Sequence, residues 1–588
     1  MKNIKILFYC FIGTIILSSC KKDFLEKYPT DEVFPGTFFQ TADELQLYVN
    51  SFYPYFGNGQ LWAGDDETDN TLPGTYSQWK RGEARAPGSD GGWDFEDLRN
   101  INFFLDAVEE NQPPLSESVV NNYIGIARLA RAWFYYNKVK QFGDVPWYSN
   151  VLGSESEELY KPRDSRVLVM DSVLADLNFA CQWIVDKKST TAFTRTMALA
   201  VKSRICLYEG TWRKYHTEAA LPDAEKFLQA CADASEKIMQ SGIVKLHNTG
   251  HPQSDYSEIF NSEDLLSDEV IFGAVYNGDI QQHSANYDLR THSRRDEDGP
   301  KGKIGANKSL INSYLMRDGR TIQEAYANGK SDTLSWYQES QNRDYRLSQT
   351  VFTPGYKRIG ATANSIPDFL TALSGYQYNK YLTAPSDDSY RMNTSDLPIF
   401  RYAEVLLNYA EAKAELGTIS QADLNNTINL IRKRSGITED LTLDVALDPV
   451  LDMRYENSSD ALILEIRRER RVELAMEGFR YDDLMRWKEG QLFREKQVGM
   501  YFKSMGPIDL DHDGSIDVLL TNDAAQQPPA GAQKVVIGGE NGELSEGTKG
   551  YLIPYPENLP AFQIFYYLQP LPKDQLVLNS ELDQNPGW

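Results

Sequence analysis

Apolar residues recur near every 3.6 positions through 96–110, 119–141, 166–187, 193–213 and 222–241, and again through 401–417, 420–434 and 458–489. Each such helix carries an apolar stripe that must be covered, so the helices are expected to pack on one another. In 119–141 the face is Tyr123, Ile126, Ala130, Trp133 and Phe134, and Gly143-Asp144-Val145-Pro146 ends the helix. In 401–417 it is Tyr402, Val405, Leu406, Tyr409 and Leu416. Short links between paired helices point to hairpins of the tetratricopeptide kind, although the irregular spacings do not fit the 34-residue consensus. Thr41-Ala-Asp-Glu44 has the capping-box form ahead of Leu45, Tyr48, Val49 and Phe52.

The stretches between are different. Residues 57–95 are rich in Gly, Asp and Trp and read as a long structured loop. Residues 242–400 are dominated by Gly, Asn, Ser, Asp, Tyr and Arg, with Val270 to Val275 as the one strand-like run. The tail from 499 is Pro- and Gly-rich with short β-prone runs such as Lys534 to Gly538. The expected fold is mostly α: a helical-hairpin scaffold over about 41–241 and 401–490, a loop-rich insertion over about 242–400 and an irregular part over 491–588. With no obvious linker, 41–588 is expected to be one large domain.

Residues 1–20 stand apart. Lys2 and Lys5 precede the 12-residue apolar run Ile6 to Leu17, which is shorter than the roughly 20 residues of a membrane span. Leu17-Ser18-Ser19-Cys20 follows and resembles the bacterial lipobox. Residues 1–19 are therefore expected to be a secretory signal. Cys20 would be the lipid-anchored N-terminus, because its thiol can form the thioether, with 20–40 as a tether. Several acyl chains together anchor a body stably.

Composition limits the function. The 84 acidic against 60 basic residues leave a net charge of −24, which argues against general nucleic-acid binding or adsorption to anionic lipid. Six His leave little room for a His-rich metal centre. Cys181, Cys206 and Cys231 are an odd set past Cys20, so no complete disulfide framework is possible, and buried inert thiols are expected.

Four segments carry a resemblance. They are Ala127 to Tyr136 running to Phe142-Gly-Asp-Val-Pro146, Phe400 to Ala412, Asn429 to Gly436 with Ile466 to Ala475 and Gly478 to Trp487, and Tyr551-Leu-Ile-Pro554 with Leu578-Asn579 and Gln584 to Trp588. Together with the lipobox, and in this order, they resemble the SusD/RagB family of outer-membrane nutrient-binding lipoproteins. The resemblance implies a tetratricopeptide-like scaffold with a variable half, no catalysis, and a cell-surface location on the outer membrane. It also implies capture of oligosaccharides, or of peptides in some members, and a SusC-like TonB-dependent transporter as partner.

Three sets of residues carry candidate chemistry. Glu465 to Arg471 with Glu473 and Glu477 is the densest charge cluster. Paired carboxylates could serve a surface glycosidase, but Leu464, Val472, Met476 and Phe479 mark a helix whose other face would carry these charges as ion pairs. Asp509, Asp511, Asp513, Ser515 and Asp517 surround Gly514 with the spacing that opens a calcium loop; Leu520 stands where the bidentate Glu would be. One structural calcium ion is the only cofactor expected. Ligand capture calls for aromatic faces beside polar groups. The candidates are Trp62 with Asp65 and Asp66, Trp79 with Arg81 and Trp93, and Tyr287, Trp336, Tyr337 and Tyr345, with Trp79 and Trp336 foremost and Trp93 expected to be structural. No phosphate loop, G-x-S-x-G elbow or HExxH is present.

Overall fold

The structure, a computed structural model, describes residues 38–57, 61–290, 295–296, 299–300, 304–539 and 541–588. The expected signal, Cys20 and most of the tether lie outside these residues. Thr41 caps helix Ala42–Val49 as its sequence requires, its side chain accepting from the Glu44 N–H while the Glu44 carboxylate accepts from the Thr41 N–H.

The helical blocks form at nearly the expected bounds. Helices Glu117–Phe142 and Arg166–Trp183 pack together, as do Arg195–Tyr215 and Ala224–Ser241. Helix Tyr402–Glu415 then lies against Ala224–Ser241 and against Ala461–Glu473. Gly143, at φ 77°, ends the first hairpin's leading helix, and Asp144 beyond it accepts from the Arg166 N–H at 2.7 Å. Two expected helices are broken: 420–434 becomes Gln421–Asn425 and Ile428–Arg434, and 458–489 becomes Ala461–Glu473 and Arg480–Arg486. The second break follows from left-handed backbone at Met476 and Gly478. There the Gly478 Cα faces Gly64, where a Cβ on Gly64 would come within 2.4 Å of it.

The 242–400 segment does more than cover the helices. With the 61–72 loop and the 500–552 strands it builds a second apolar core around Trp62, Tyr256, Trp336, Tyr376, Tyr378 and Tyr381. Strand Val270–Ala274 pairs antiparallel with Leu397–Arg401, tying the segment's two ends together. In the tail, Gln533–Val536 runs parallel to Val518–Thr521, which pairs antiparallel with Gly506–Ile508.

Ionic side chains join the two cores. Helix Ala461–Glu473, whose charged face was expected to form ion pairs, is buried at every residue from Ile463 to Glu473. Glu473 receives Arg434 at 2.5 Å, Arg401 at 2.6 Å and Arg346 at 2.8 Å. Glu477 takes Arg401 and Lys380, each at 2.7 Å. Arg432 spans Glu465 and Glu469, and Arg486 spans Glu411 and Asp483. From the 61–72 loop, Asp69 receives Arg480, Arg454 and Arg471. Burial alone would raise these carboxyl pKa values. The facing guanidiniums overcome it and hold Glu473 far below the usual carboxylate range and Glu411 at about 2. Burial likewise pushes the Cys231 thiol up to about 12, as suits an inert thiol.

Breaking a buried pair from one side is costlier than never having built it. Glu473→Gln is expected to lower unfolding free energy by about 3–5 kcal/mol in denaturant titration; a change within measurement error would contradict the role given to Glu473. The acid limb of stability follows from two depressed values. Burial against Trp212 brings His216 from 6.5 to about 4, so its contribution is complete above about pH 6.5 and fades as pH falls through 4. Glu411's contribution is complete above 4.5 and fades as pH falls through about 2. Denaturant midpoints measured at pH 7.5, 5.5 and 3.5 are expected to fall in that order; a constant midpoint would refute the linkage.

Candidate functional site

The expected aromatic platforms separate into buried and accessible rings. Trp62 is 1% exposed: its Nε1 donates to Asp288 at 3.0 Å, and its ring rests near His283 and Tyr381. Asp65 is fully buried, accepting from Asn70 and from the Met476 N–H, while Asp66 is half-buried. Trp336 is 3% exposed, its Nε1 donating to the Phe352 carbonyl and its edge meeting Tyr376. Trp62 and Trp336 therefore cannot offer a ring face to a ligand. A Trp in a polar, aperiodic stretch looks surface-bound in sequence, and here the second core is assembled from such stretches.

Trp79 is half-buried in an aromatic box of Tyr481, Phe493, Phe562 and Tyr566, with the Arg494 guanidinium 5.2 Å from its ring centre. Arg81 is exposed on the adjoining turn. Trp93 packs edge-on against Phe95 and Phe142. Tyr345 is tied by its hydroxyl to Arg317. Tyr337 is half-buried and lies parallel to the His512 ring at 4.2 Å, so the insertion and the Asp509–Asp517 turn meet there.

Tyr287 sits on helix Ala285–Arg290, whose backbone is locked on either side of it. Asn286, fully buried, accepts from the Thr383 N–H and from Asn393 Nδ2, and its own Nδ2 donates to the Ala384 carbonyl and Asp388. Asp288 is held by Trp62. The Tyr287 ring meets Tyr390 edge-on at 5.6 Å, and Tyr390 is 60% exposed. Two residues before Tyr390, Asp388 is gripped by Arg358 through two bonds of 2.6 and 2.7 Å. At the helix's far end a cavity of about 360 Å3 is lined by Arg290, Asp368, Gln533, Lys534 and Asn541. The arrangement offers two tyrosine faces, one of them largely exposed, on segments held in place by buried bonds.

Sequence reasoning missed Tyr390, Arg358 and Asp388. The criterion that selected Tyr287, an aromatic among Asp, Ser and Arg in an aperiodic stretch, applies equally to Asp387-Asp-Ser-Tyr-Arg391. The bond from Asn286 to Asp388, which brings the two stretches together across 102 positions, is a tertiary fact.

In the 509–517 turn the carboxylate oxygens of Asp509, Asp511 and Asp517 lie within 4.8 Å of one another. Asp513 and Ser515 are exposed and outside that trio; Asp513 instead accepts from the Ser515 N–H. One oxygen of Asp509 is buried with no hydrogen-bond partner. Burial and the neighbouring Asp511 and Asp509 raise the pKa of Asp517.

Known proteins share this sequence and architecture. Residues 268–588 match the family model described as "SusD family", and residues 72–215 match "Starch-binding associating with outer membrane". "SusD-like protein P38" of Formosa agariphila is 23% identical over 516 residues, 82% of this chain and 91% of that protein. A "SusD-like protein" of Bacteroides ovatus is 22% identical over 80% of each chain. Among solved structures, a SusD-like protein of Bacteroides fragilis superposes with a TM-score of 0.66 at 21% identity, covering 96% of this chain and all of that one. A SusD-like carbohydrate binding protein of the same species gives 0.66 at 20% identity over 93% and 100%. The first family match alone takes in more than half of the sequence, and the chain belongs to the SusD family.

Proposed function

We propose that this chain is a non-enzymatic, cell-surface lipoprotein that binds neutral oligosaccharides and passes them to a TonB-dependent outer-membrane transporter. The observation that carries the reading is the edge-on Tyr287–Tyr390 pair, whose two segments are anchored by Asn286 and by the Arg358–Asp388 ion pair. A tyrosine face covers the apolar side of a sugar ring. The description "Starch-binding associating with outer membrane" supports both ligand class and location. The lipobox at Leu17 to Cys20 supports the anchor, and no helix among the described residues is long and apolar enough to cross a membrane. A non-enzymatic role is supported by the densest carboxylate cluster, since Glu465, Glu469, Glu473 and Glu477 are all engaged by Arg or Lys and are not free for acid–base work.

Residues 21–588 should bind at least one glycan in affinity electrophoresis against plant, host and microbial polysaccharides, without turnover. Tyr287→Ala with Tyr390→Ala should weaken that binding about tenfold or more, as loss of a stacking face predicts. Unchanged affinity in the double variant would remove this face, and binding of peptides in place of every glycan would change the cargo.

We also propose that Asp509, Asp511 and Asp517 hold one structural calcium ion. The unpartnered Asp509 oxygen and the mutual repulsion of the trio support it. Added Ca2+ should raise the thermal midpoint in a concentration-dependent way that Asp509→Asn with Asp517→Asn abolishes; equal midpoints with Ca2+ and with chelator would sink the assignment.

A further inference from the structure

The cavity of about 360 Å3 at the end of helix Ala285–Arg290 holds positive charge that the protein leaves unbalanced. Arg290 and Lys534 both line it. The Arg290 guanidinium makes no ion pair and no hydrogen bond among the described residues. Its Nε is buried without an acceptor, and the Phe352 ring lies 5.6 Å away as a weak cation–π partner. Lys534 Nζ donates to the Ala524 carbonyl at 2.8 Å and likewise meets no carboxylate among the described residues. The one acid on the described wall, Asp368, is engaged within its own turn, accepting from the Leu370 N–H at 2.9 Å and the Thr371 hydroxyl at 3.0 Å. Gln533 is used at both ends, by the Phe369 N–H and the Pro367 carbonyl. Other withdrawn guanidiniums of this protein meet carboxylates, as Arg358 meets Asp388. Burial, and then the charge of Arg358, lower the Arg290 pKa from its ordinary value, so the site is short of negative charge.

Both cations are within reach of a ligand. Each side chain is half-buried, and of the guanidinium only Nε is shut away. Two such groups call for an oxyanion. An arginine fork bonds a carboxylate or a sulfate through two parallel N–H donors, and a lysine adds a compact charge. A metal cation would be repelled by the same pair. The helix says what carries the anion. Tyr287 and Arg290 are three positions apart, so their Cβ atoms are neighbours, about 5–6 Å apart. Both keep partial exposure, while Asn286 and Leu289 are buried. A chain of sugars that covers Tyr287 therefore passes Arg290. The protein's net charge of −24 disfavours acidic ligands in general, which makes a local pair of free cations selective rather than incidental. The cavity volume lies within the range of small-ligand pockets.

We infer that Arg290 and Lys534 form an anion pocket that selects glycans bearing an acidic sugar, whose oxyanion sits between them while a neutral residue of the same glycan covers Tyr287. The inference rests on the glycan reading of the tyrosine face and sharpens it: the stacked sugar is neutral and a neighbour carries the charge. The test is calorimetry of residues 21–588 with oligogalacturonate, glucuronoxylan and alginate oligosaccharides, each beside its carboxyl-reduced form, and with a sulfated galactan beside its desulfated form. At least one acidic glycan should bind about tenfold or more tighter than its neutral counterpart. Arg290→Gln and Lys534→Gln should each narrow that gap, as should added salt. Lys534 lies on a separate element, strand Gln533–Val536, so its variant keeps the test valid if Arg290→Gln fails to fold. A gap in a carboxyl-reduced pair assigns the pocket to a uronic acid, and a gap in the sulfated pair alone assigns it to a sulfate ester. Equal affinity for every acidic glycan and its neutral form would overturn the inference, as would a gap that survives both variants. In either case the tyrosine face stands if Tyr287→Ala with Tyr390→Ala weakens the binding. If no glycan of either kind binds, the face and the pocket fall together.

Discussion

Glu473 is the joint of the molecule. Its carboxylate is fully buried, and the three guanidiniums that reach it arrive from separate places: Arg401 from the end of a strand, Arg434 from the last turn of a helix, and Arg346 from the insertion. Arg401 also meets Glu477 and Glu269, and Arg434 meets Glu269, so charge is balanced locally within a dry region. A single buried pair of this kind barely repays its desolvation, whereas a closed set shares each ion among several partners. What the set adds over an apolar contact is direction. Each fork accepts only one arrangement of helix, strand and insertion, so the two apolar cores are fixed in register.

The helical scaffold was largely legible because its signal is local. A 3.6-residue period, the Thr41 capping box and the Gly143 stop are settled by neighbours in sequence, and their elements formed at nearly the expected bounds. Helix Ala461–Glu473 was legible as a helix but not as a buried one. Its charged face reads in sequence as a set of ion pairs without named partners, and the arginines and acids that bury it come from outside the helix. The second core was illegible for the same reason. Trp62, Trp336 and Tyr381 lie in stretches without period, and only long-range contacts bring them inside. The site inherited that error. Of the expected ring faces, Tyr287, Tyr337 and Trp79 keep partial access, whereas Trp62 and Trp336 are posts that hold the surface up.

That division of labour separates the proposed ligand face from the interior residues that hold it in place. Trp62 and Asn286 set the helix that bears Tyr287, and Arg358 sets the turn that bears Tyr390, through bonds pointing inward. The outward residues make few demands on the interior. They can be exchanged to suit another ligand while the underlying posts, and the ionic joint behind them, stay as they are.

The grip on Asp69 has a kinetic consequence. Asp69 is secured by Arg480, which lies 411 positions further along the chain, and by Arg454, 385 positions away. Closing so large a loop costs chain entropy long before the contact returns any stability. The 61–72 loop can settle only after residue 480 has emerged and helix Arg480–Arg486 is available. The N-terminal hairpins, built from near neighbours, can form early; the second core cannot. The second core is thus the last part of the chain to mature, so a folding molecule passes through a stage in which the helical scaffold exists and the proposed tyrosine face does not.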